Sequence, residues 1–353
     1  MKTEKIGERK IKYSQALNEA TSQMMEKDEK VFVMGEGVDY KNGIFGSTAD
    51  LVEKFGQVRV FDTPLAEDAM TGIGIGAALL GMRPIIVHAR IDFLMLTMNQ
   101  LVNHAAKWTY LCGGNVPIVV RAIIGRGWGQ GAQHSQSLQA LFAHIPGLKV
   151  IMPATPYDAK GILVSAIKDN GPVVCIEHRW LYDKVGYVPE EIYEVAIGRG
   201  KIARVGKDVT VVAVSQMVLE ALEAATILAE DYCIEAEVVD LRAVRPIDEA
   251  IICKSVKKTG RLVVADTGWK ACGVSAEVAA IAVENVAECL KANIARIALP
   301  DLPTPTAFSM DGEYYPGRDD IVKVVLKMFD KGRGKKRREK NKIDTRKQFK
   351  GSF

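Results

Sequence analysis

The chain has 353 residues, 48% hydrophobic and 25% charged, which suits a globular protein of one to three domains. No apolar run is long enough to span a bilayer, and the start, MKTEKIGERKIKYSQ, lacks the apolar core of a secretory signal; a cytoplasmic protein is expected. The net charge of +4 is uneven: residues 331–350 hold 11 of the 47 Lys and Arg but 2 of the 43 acids, which leaves the rest of the chain mildly acidic.

Apolar residues at helical spacing in YSQALNEATSQMMEK predict a helix over 13–27. KVFVMGEG predicts a short strand running into a glycine-containing loop. GSTADLVEKFG predicts a helix capped by Ser47 and stopped at Gly56. VRVFDTPLAE reads as a strand entering a turn, and Gly72, Gly74 and Gly76 then read as the small face of a closely packed helix. RPIIVHA, VPIVVRAI, LKVIMP and PVVCIEH are further apolar strands, with helices expected in LTMNQLVNHAAKWTYL and PYDAKGILVSAIKDNG. Apolar strands alternating with helices indicate a parallel sheet covered on both faces.

Residues 186–208 are rich in Gly, Pro and charge and read as a linker. The alternation resumes over 209–330, with helices expected at 217–231, 248–258 and 274–290. The expected fold class is therefore α/β with two doubly wound domains, at 1–185 and 209–330. A basic tail at 331–353 is expected to be disordered, as a solvated terminus rather than a nucleic-acid contact.

Three stretches could carry chemistry. Glu67 follows a strand and opens a small-residue helix, the usual place for ligand contacts in an α/β sheet. A carboxylate among apolar groups there could exchange a proton, or could simply favour the first turn of its helix. The glycines at 72–76 are not set directly between strand and helix, so a dinucleotide-binding turn is disfavoured. Phe93 precedes an amphipathic helix and reads as core or as a ring platform. GRGWGQGAQHSQS has four glycines over 125–131, followed by His134, an imidazole able to act as acid or base near neutral pH. No nucleophile elbow surrounds Ser135. His88, His104, His144 and His178 read as structural. The six cysteines form no CxxC pair, so neither zinc nor a dithiol site is indicated.

RVFDTPLAE, NHAAKW, GAQHSQS, HIPGLKVIMPATPYDAKGIL, AIKDNGPVV, EVVDLRAVRPID and SVKKTGRLVV occur in one order and spacing. Together they closely resemble the β subunit of the E1 component of 2-oxo acid dehydrogenase complexes, over about residues 10–330. HSQSLQALFAHIPGLKV and TPYDAKG resemble its pyruvate and acetoin branches most. The resemblance implies a transketolase-type thiamine diphosphate enzyme, with a pyrimidine-binding domain followed by a transketolase C-terminal-like domain. It implies Glu67 at the N1′ nitrogen of the aminopyrimidine, Phe93 stacked on that ring and Ala89 beside the cofactor. It implies His134 near the thiazolium, aiding decarboxylation of a 2-oxo acid or acyl transfer to a lipoyl arm. It implies a structural K⁺ on backbone carbonyls of Ile118, Ala166, Ile167, Asp169 and Gly171. The diphosphate and Mg²⁺ would be held by an E1 α subunit in an α2β2 heterotetramer, since no Gly-Asp-Gly followed by paired Asn occurs here. A lipoyl acyltransferase (E2) core would be the further partner.

Three positions depart from the family pattern: Val87 stands where an acid is frequent, Ile91 where an aromatic is, and Asp266 where Glu is. They bear on the pocket wall and so on substrate choice. Pyruvate is the expected substrate, with acetoin as the alternative. A non-catalytic binding subunit of the same fold is the rival reading.

Overall fold

The computed structural model describes residues 9–329 apart from residue 128. The expected basic tail at 331–353 lies outside the described residues. Eight strands come first: β1 (Lys10–Lys12), β2 (Val31–Gly35), β3 (Val60–Asp62), β4 (Arg83–His88), β5 (Val119–Ile124), β6 (Lys149–Ile151), β7 (Val173–His178) and β8 (Val185–Tyr187). Six follow: β9 (Lys201–Arg204), β10 (Val209–Ala213), β11 (Ala236–Asp240), β12 (Ala243–Arg245), β13 (Leu262–Trp269) and β14 (Ala295–Leu299).

A seven-stranded sheet runs in the order β12-β6-β7-β5-β4-β2-β3, parallel except for β12. A five-stranded sheet runs in the order β14-β13-β10-β11-β9, parallel except for β9. β1 and β8 form a small antiparallel ribbon. The inner strands are buried along their length, as in VVRAII of β5 and VTVVA of β10, because helices cover both faces. The doubly wound α/β architecture expected from the alternation is what the chain forms.

The two halves are laced together. β12 comes from the second half of the chain yet closes the edge of the first sheet beside β6. One hydrophobic core joins Ile86 and Val120 of the first sheet to Val212 and Val264 of the second. Arg242, just before β12, forms an ion pair with the buried Asp158 on helix Pro156–Lys168. Asp240 lies beside this pair and is pushed up to about 7, first by burial and then by the charge of Asp158.

Local expectations met different fates. The helix over Tyr13–Lys27 and the helix Gln216–Tyr232 form where their spacing predicts. Ser47 does not cap a helix: its hydroxyl donates to the Ile44 carbonyl at 2.9 Å, and the helix begins later, at Leu51–Phe55. A serine hydroxyl satisfied inside a turn is lost to capping. The stretch 96–111 is not one α-helix. A 3₁₀ turn (Met95–Thr97), a π-helical segment (Asn99–Ala105) and an α-helix (Ala106–Cys112) follow one another. The segment 186–208 is mostly irregular, but β9 within it adds a charged edge strand to the second sheet.

Among the three helix glycines, Gly74 is the one that packing requires. A Cβ there would lie 2.4 Å from Ile86 Cδ1 of β4, whereas Gly76 faces open space. Helix Glu67–Leu79 thus comes close to β4 at Gly74, while Met70, Ile75 and Ala78 join the core beside it.

Candidate active site

β3, β2, β4 and β5 are neighbours in the first sheet and run parallel. The segments leaving their carboxyl ends carry Glu67, Glu36, Phe93 and His134 in turn. Carboxyl strand ends are where α/β sheets gather ligand contacts, because helix N-termini and loops converge there.

After β3, the turn Thr63–Ala66 delivers Glu67 as the first residue of helix Glu67–Leu79. Its side chain is buried, although its neighbours Ala66 and Asp68 are exposed. After β2 comes Glu36, equally buried. The two carboxyls meet, and the Ala89 N–H donates to Glu36. Burial, and then the charge of Glu67, push Glu36 up to about 7. Glu36 Oε1 has no donor among the described residues. A proton on Glu36 would satisfy that oxygen, as its raised value allows near neutrality.

After β4, Ala89 and Arg90 lead into the short helix Ile91–Leu94, which carries Phe93 half-buried. The rings of Phe93 and His134 meet edge to face, with centroids 5.2 Å apart and planes at 79°. Such a contact contributes about 0.5–1.5 kcal/mol beyond area burial. Next to Phe93, Asp92 accepts from the Gln136 N–H (3.3 Å) and Gln136 Nε2 (2.9 Å), tying the two segments a second time. Burial raises Asp92, and its Oδ2 has no donor among the described residues.

The His134 segment is gripped by the second half of the chain. Gly131 has φ +64°, and a Cβ there would lie 2.3 Å from Thr306 Oγ1. The backbone therefore has to be glycine to pass beneath that segment. Arg126 donates to the Thr306 carbonyl at 2.7 Å, forms an ion pair with Asp311 and lies 4.0 Å from the Phe308 ring centroid. Gln139 Nε2 donates to Asp266 Oδ1 at 2.9 Å. Burial raises Asp266, while the N–H groups of Gly268 and Ser275 oppose the shift. The aspartate that departs from the family pattern is thus a buried anchor for the His134 segment.

His88 and His178 are buried and held neutral, each pushed down to about 3 by burial. His104 is exposed on the π-helical segment, and His144 is exposed just after helix Gln139–Ala143. The carbonyls expected to hold K⁺ lie at the amino ends of β5 and β7, away from Glu67 and His134. Those of Ile167 and Asp169 both accept from Arg83 Nη1 at 2.9 Å. The Ile118 carbonyl accepts from the Val173 N–H, and that of Ala166 from the Asp169 N–H.

Sequence reasoning missed Glu36, Arg90, Arg126 and the segment 304–311. Glu36 stands in KVFVMGEG, in the glycine-containing loop that follows the strand. The argument applied to Glu67, an acid at the carboxyl end of a strand, would have found it.

Residues 9–184 match the family described as transketolase, pyrimidine binding domain, and residues 198–321 match transketolase, C-terminal domain. The β subunit of acetoin:2,6-dichlorophenolindophenol oxidoreductase of Cupriavidus necator is 42% identical, over 92% of this chain and 99% of its own. The 2-oxoisovalerate dehydrogenase β subunit of Bacillus subtilis is 44% identical, over 90% of this chain and 98% of its own. The mitochondrial pyruvate dehydrogenase E1 component subunit beta-1 of Arabidopsis thaliana is 44% identical, over 90% of this chain and 89% of its own. The chain belongs to the E1 β-subunit family of 2-oxo acid dehydrogenases. A split-gene transketolase, solved as an inactive β4 tetramer, aligns with a TM-score of 0.74 over 92% of this chain and 99% of its own, and at 24% identity shows the fold alone. E1 β chains share the transketolase-type architecture of thiamine diphosphate enzymes, and the Glu36–Glu67 and Phe93–His134 pairs lie in its pyrimidine-binding domain. Among the described residues no helix is long and apolar enough to cross a membrane.

Proposed function

We propose that this E1 β chain supplies half of a thiamine diphosphate site that decarboxylates a 2-oxo acid, with pyruvate as the parent substrate, and passes the acyl group to a lipoyl domain. The observation that carries the reading is the carboxyl pair Glu36–Glu67 on strand ends neighbouring the Phe93–His134 ring pair. An aminopyrimidine needs a flat apolar face and an acid able to hold a proton, and these residues fit it. The donorless Glu36 Oε1 supports the fit, because it needs the proton that such an acid carries.

When bound, thiamine diphosphate supplies a nucleophilic carbon for the 2-oxo carbonyl and takes up the electron pair released with carbon dioxide. Glu67 gives and recovers a proton at the aminopyrimidine N1′. Glu36 holds that proton in reserve and is fixed by the Ala89 N–H. Phe93 offers its ring face, Ala89 forms the adjoining wall, and His134 moves protons at the substrate and toward the lipoyl thiol. In this proposal the diphosphate and Mg²⁺ belong to an α partner in an α2β2 assembly, and the lipoyl acyltransferase core is the next partner. A K⁺ ion would share the carbonyls of Ile167 and Asp169 with Arg83, each oxygen having a second lone pair, and takes no part in the chemistry. A cytoplasmic setting completes the reading. Acetoin is the competing substrate, supported by relatives from Cupriavidus necator and Bacillus subtilis at 42% and 41% identity.

Glu67→Gln in the reconstituted α/β enzyme tests the proposal. Turnover is expected to fall by about 100-fold or more with assembly intact. Undiminished turnover would remove the mechanism.

A further inference from the structure

A histidine that moves protons is ordinarily aimed by a hydrogen bond on its second ring nitrogen. His134 is held otherwise. Among the described residues its imidazole meets the Phe93 ring edge to face and forms no hydrogen bond. Both nitrogens are thus left for proton transfer, and the ring is placed by the backbone on either side of it. That backbone is gripped at successive residues. The His134 N–H donates to the Gly131 carbonyl at 3.4 Å. Thr304 Oγ1 donates to the Ser135 carbonyl at 3.5 Å. Gln139 Nε2 donates to Asp266 Oδ1 at 2.9 Å and to Thr267 Oγ1 at 3.2 Å.

Thr304, Asp266 and Thr267 all come from the second half of the chain. One grip comes from the first half, and from the residue beside Phe93. Asp92 Oδ1 accepts twice from Gln136, from its N–H at 3.3 Å and from Nε2 at 2.9 Å. Asp92–Gln136 and Phe93–His134 are therefore adjacent rungs between the same two segments. The lower rung is made at a cost. Asp92 Oδ2 is buried with no donor among the described residues. Burial raises the carboxyl, while the bonds from Gln136 oppose the shift most and the charge of Arg90 opposes it further. A carboxyl in such a place costs stability, and the contact it makes in return is the double bond to Gln136.

We propose that Asp92 is a positioning residue, which through Gln136 sets His134 against Phe93 at the distance its proton transfers need. The inference rests on His134 acting at the substrate, as proposed above, and adds Asp92 and Gln136 to that site. Asp92 acts through Gln136 and not on the substrate. A reacting group displaced by about 1 Å loses about 100-fold in rate, so slackening this rung slows turnover without weakening substrate binding. Asp92 has a second neighbour to account for, because its charge also supports the buried Arg90. The two roles separate by substitution. Asparagine keeps the oxygen that accepts from Gln136 and removes the charge, whereas alanine removes both.

The test measures kcat, KM and thiamine diphosphate affinity in the reconstituted α/β enzyme, with the 2-oxo acid that it turns over fastest. The variants are Asp92→Ala, Asp92→Asn, Gln136→Ala and His134→Ala, with Asp92→Ala also combined with His134→Ala. Asp92→Ala is expected to lower kcat by about 10- to 100-fold, with KM and cofactor affinity within about twofold of wild type. Asp92→Asn is expected to recover most of that loss. On the His134→Ala background, Asp92→Ala is expected to cost nothing more, because the two act as one unit. An unchanged kcat in Asp92→Ala, a change confined to KM, or the full loss repeated without His134 overturns the proposal. Asp92→Asn as slow as Asp92→Ala also overturns it, by making Asp92 the counter-charge of Arg90. Should Asp92→Ala fail to assemble, Gln136→Ala carries the comparison on both backgrounds; it keeps the backbone bond to Asp92, so a smaller loss of kcat is expected, again absent without His134. Undiminished turnover in His134→Ala strikes the underlying functional reading instead, and is distinguishable because it does not involve Asp92.

Discussion

Glu67 depends on a second acid that stands far from it in the sequence. Glu36, raised to about 7 by burial and by Glu67, loses its proton as pH rises through neutrality. Turnover of the α/β enzyme is expected to decline above about pH 7, and Glu36→Gln to remove that limb from the pH–rate profile. A limb unchanged in the variant contradicts the role of a protonated Glu36. Phe93→Ala removes the edge-to-face contact with His134 and the ring platform together. It is expected to weaken thiamine diphosphate binding by about tenfold, as measured by titration of the α/β pair. Glu67, Phe93 and His134 were legible because each sits in a phrase with its own strand, helix or loop signature. Glu36 was not. Its place comes from which strand ends stand side by side, and the sheet order β5-β4-β2-β3 is not the order of the chain.

Helix Glu67–Leu79 carries its glycines for unequal reasons. Gly74→Ala would drive a methyl into Ile86 and is expected to lower stability by about 1–3 kcal/mol. Gly76→Ala faces open space and is expected to raise it by about 0.5–1 kcal/mol. Chemical denaturation of both variants of the isolated chain checks the pair, and equal effects would contradict the packing. Regular helices such as Tyr13–Lys27 were legible because their apolar spacing meets one continuous face of the core. The interrupted helix after Phe93 was not. Its apolar spacing is compatible with an α-helix throughout, and the widened segment Asn99–Ala105 leaves no sign in residue type. Ser47 failed as a cap because a closer carbonyl, that of Ile44, claims its hydroxyl.

The molecule as a whole is two parallel sheets that cannot separate freely. β12 crosses to the first sheet, the core is continuous, and Asp158–Arg242 bridges the halves with Asp240 alongside. The alternation of strands and helices made both sheets legible, but an antiparallel strand contributed across them leaves no local signal. Asp240 titrates from an ordinary 3.8 when unfolded to about 7 when folded. A raised folded value means that its contribution is full below about pH 4 and is lost as pH climbs through 7. Wild-type melting temperature is therefore expected to fall, relative to Asp240→Asn, between about pH 4 and 7. Parallel curves for the two proteins would contradict the burial of an acid at this joint. At the same scale stands the central claim, that the chain is one half of a shared catalytic site. The direct measurement is release of carbon dioxide from 2-oxo acids by this chain, by its α partner, and by the two mixed with thiamine diphosphate and Mg²⁺. Turnover in the mixture alone, and its loss in Glu67→Gln, is the predicted result. Turnover by either chain alone, or a Glu67→Gln mixture as active as the wild type, would contradict it.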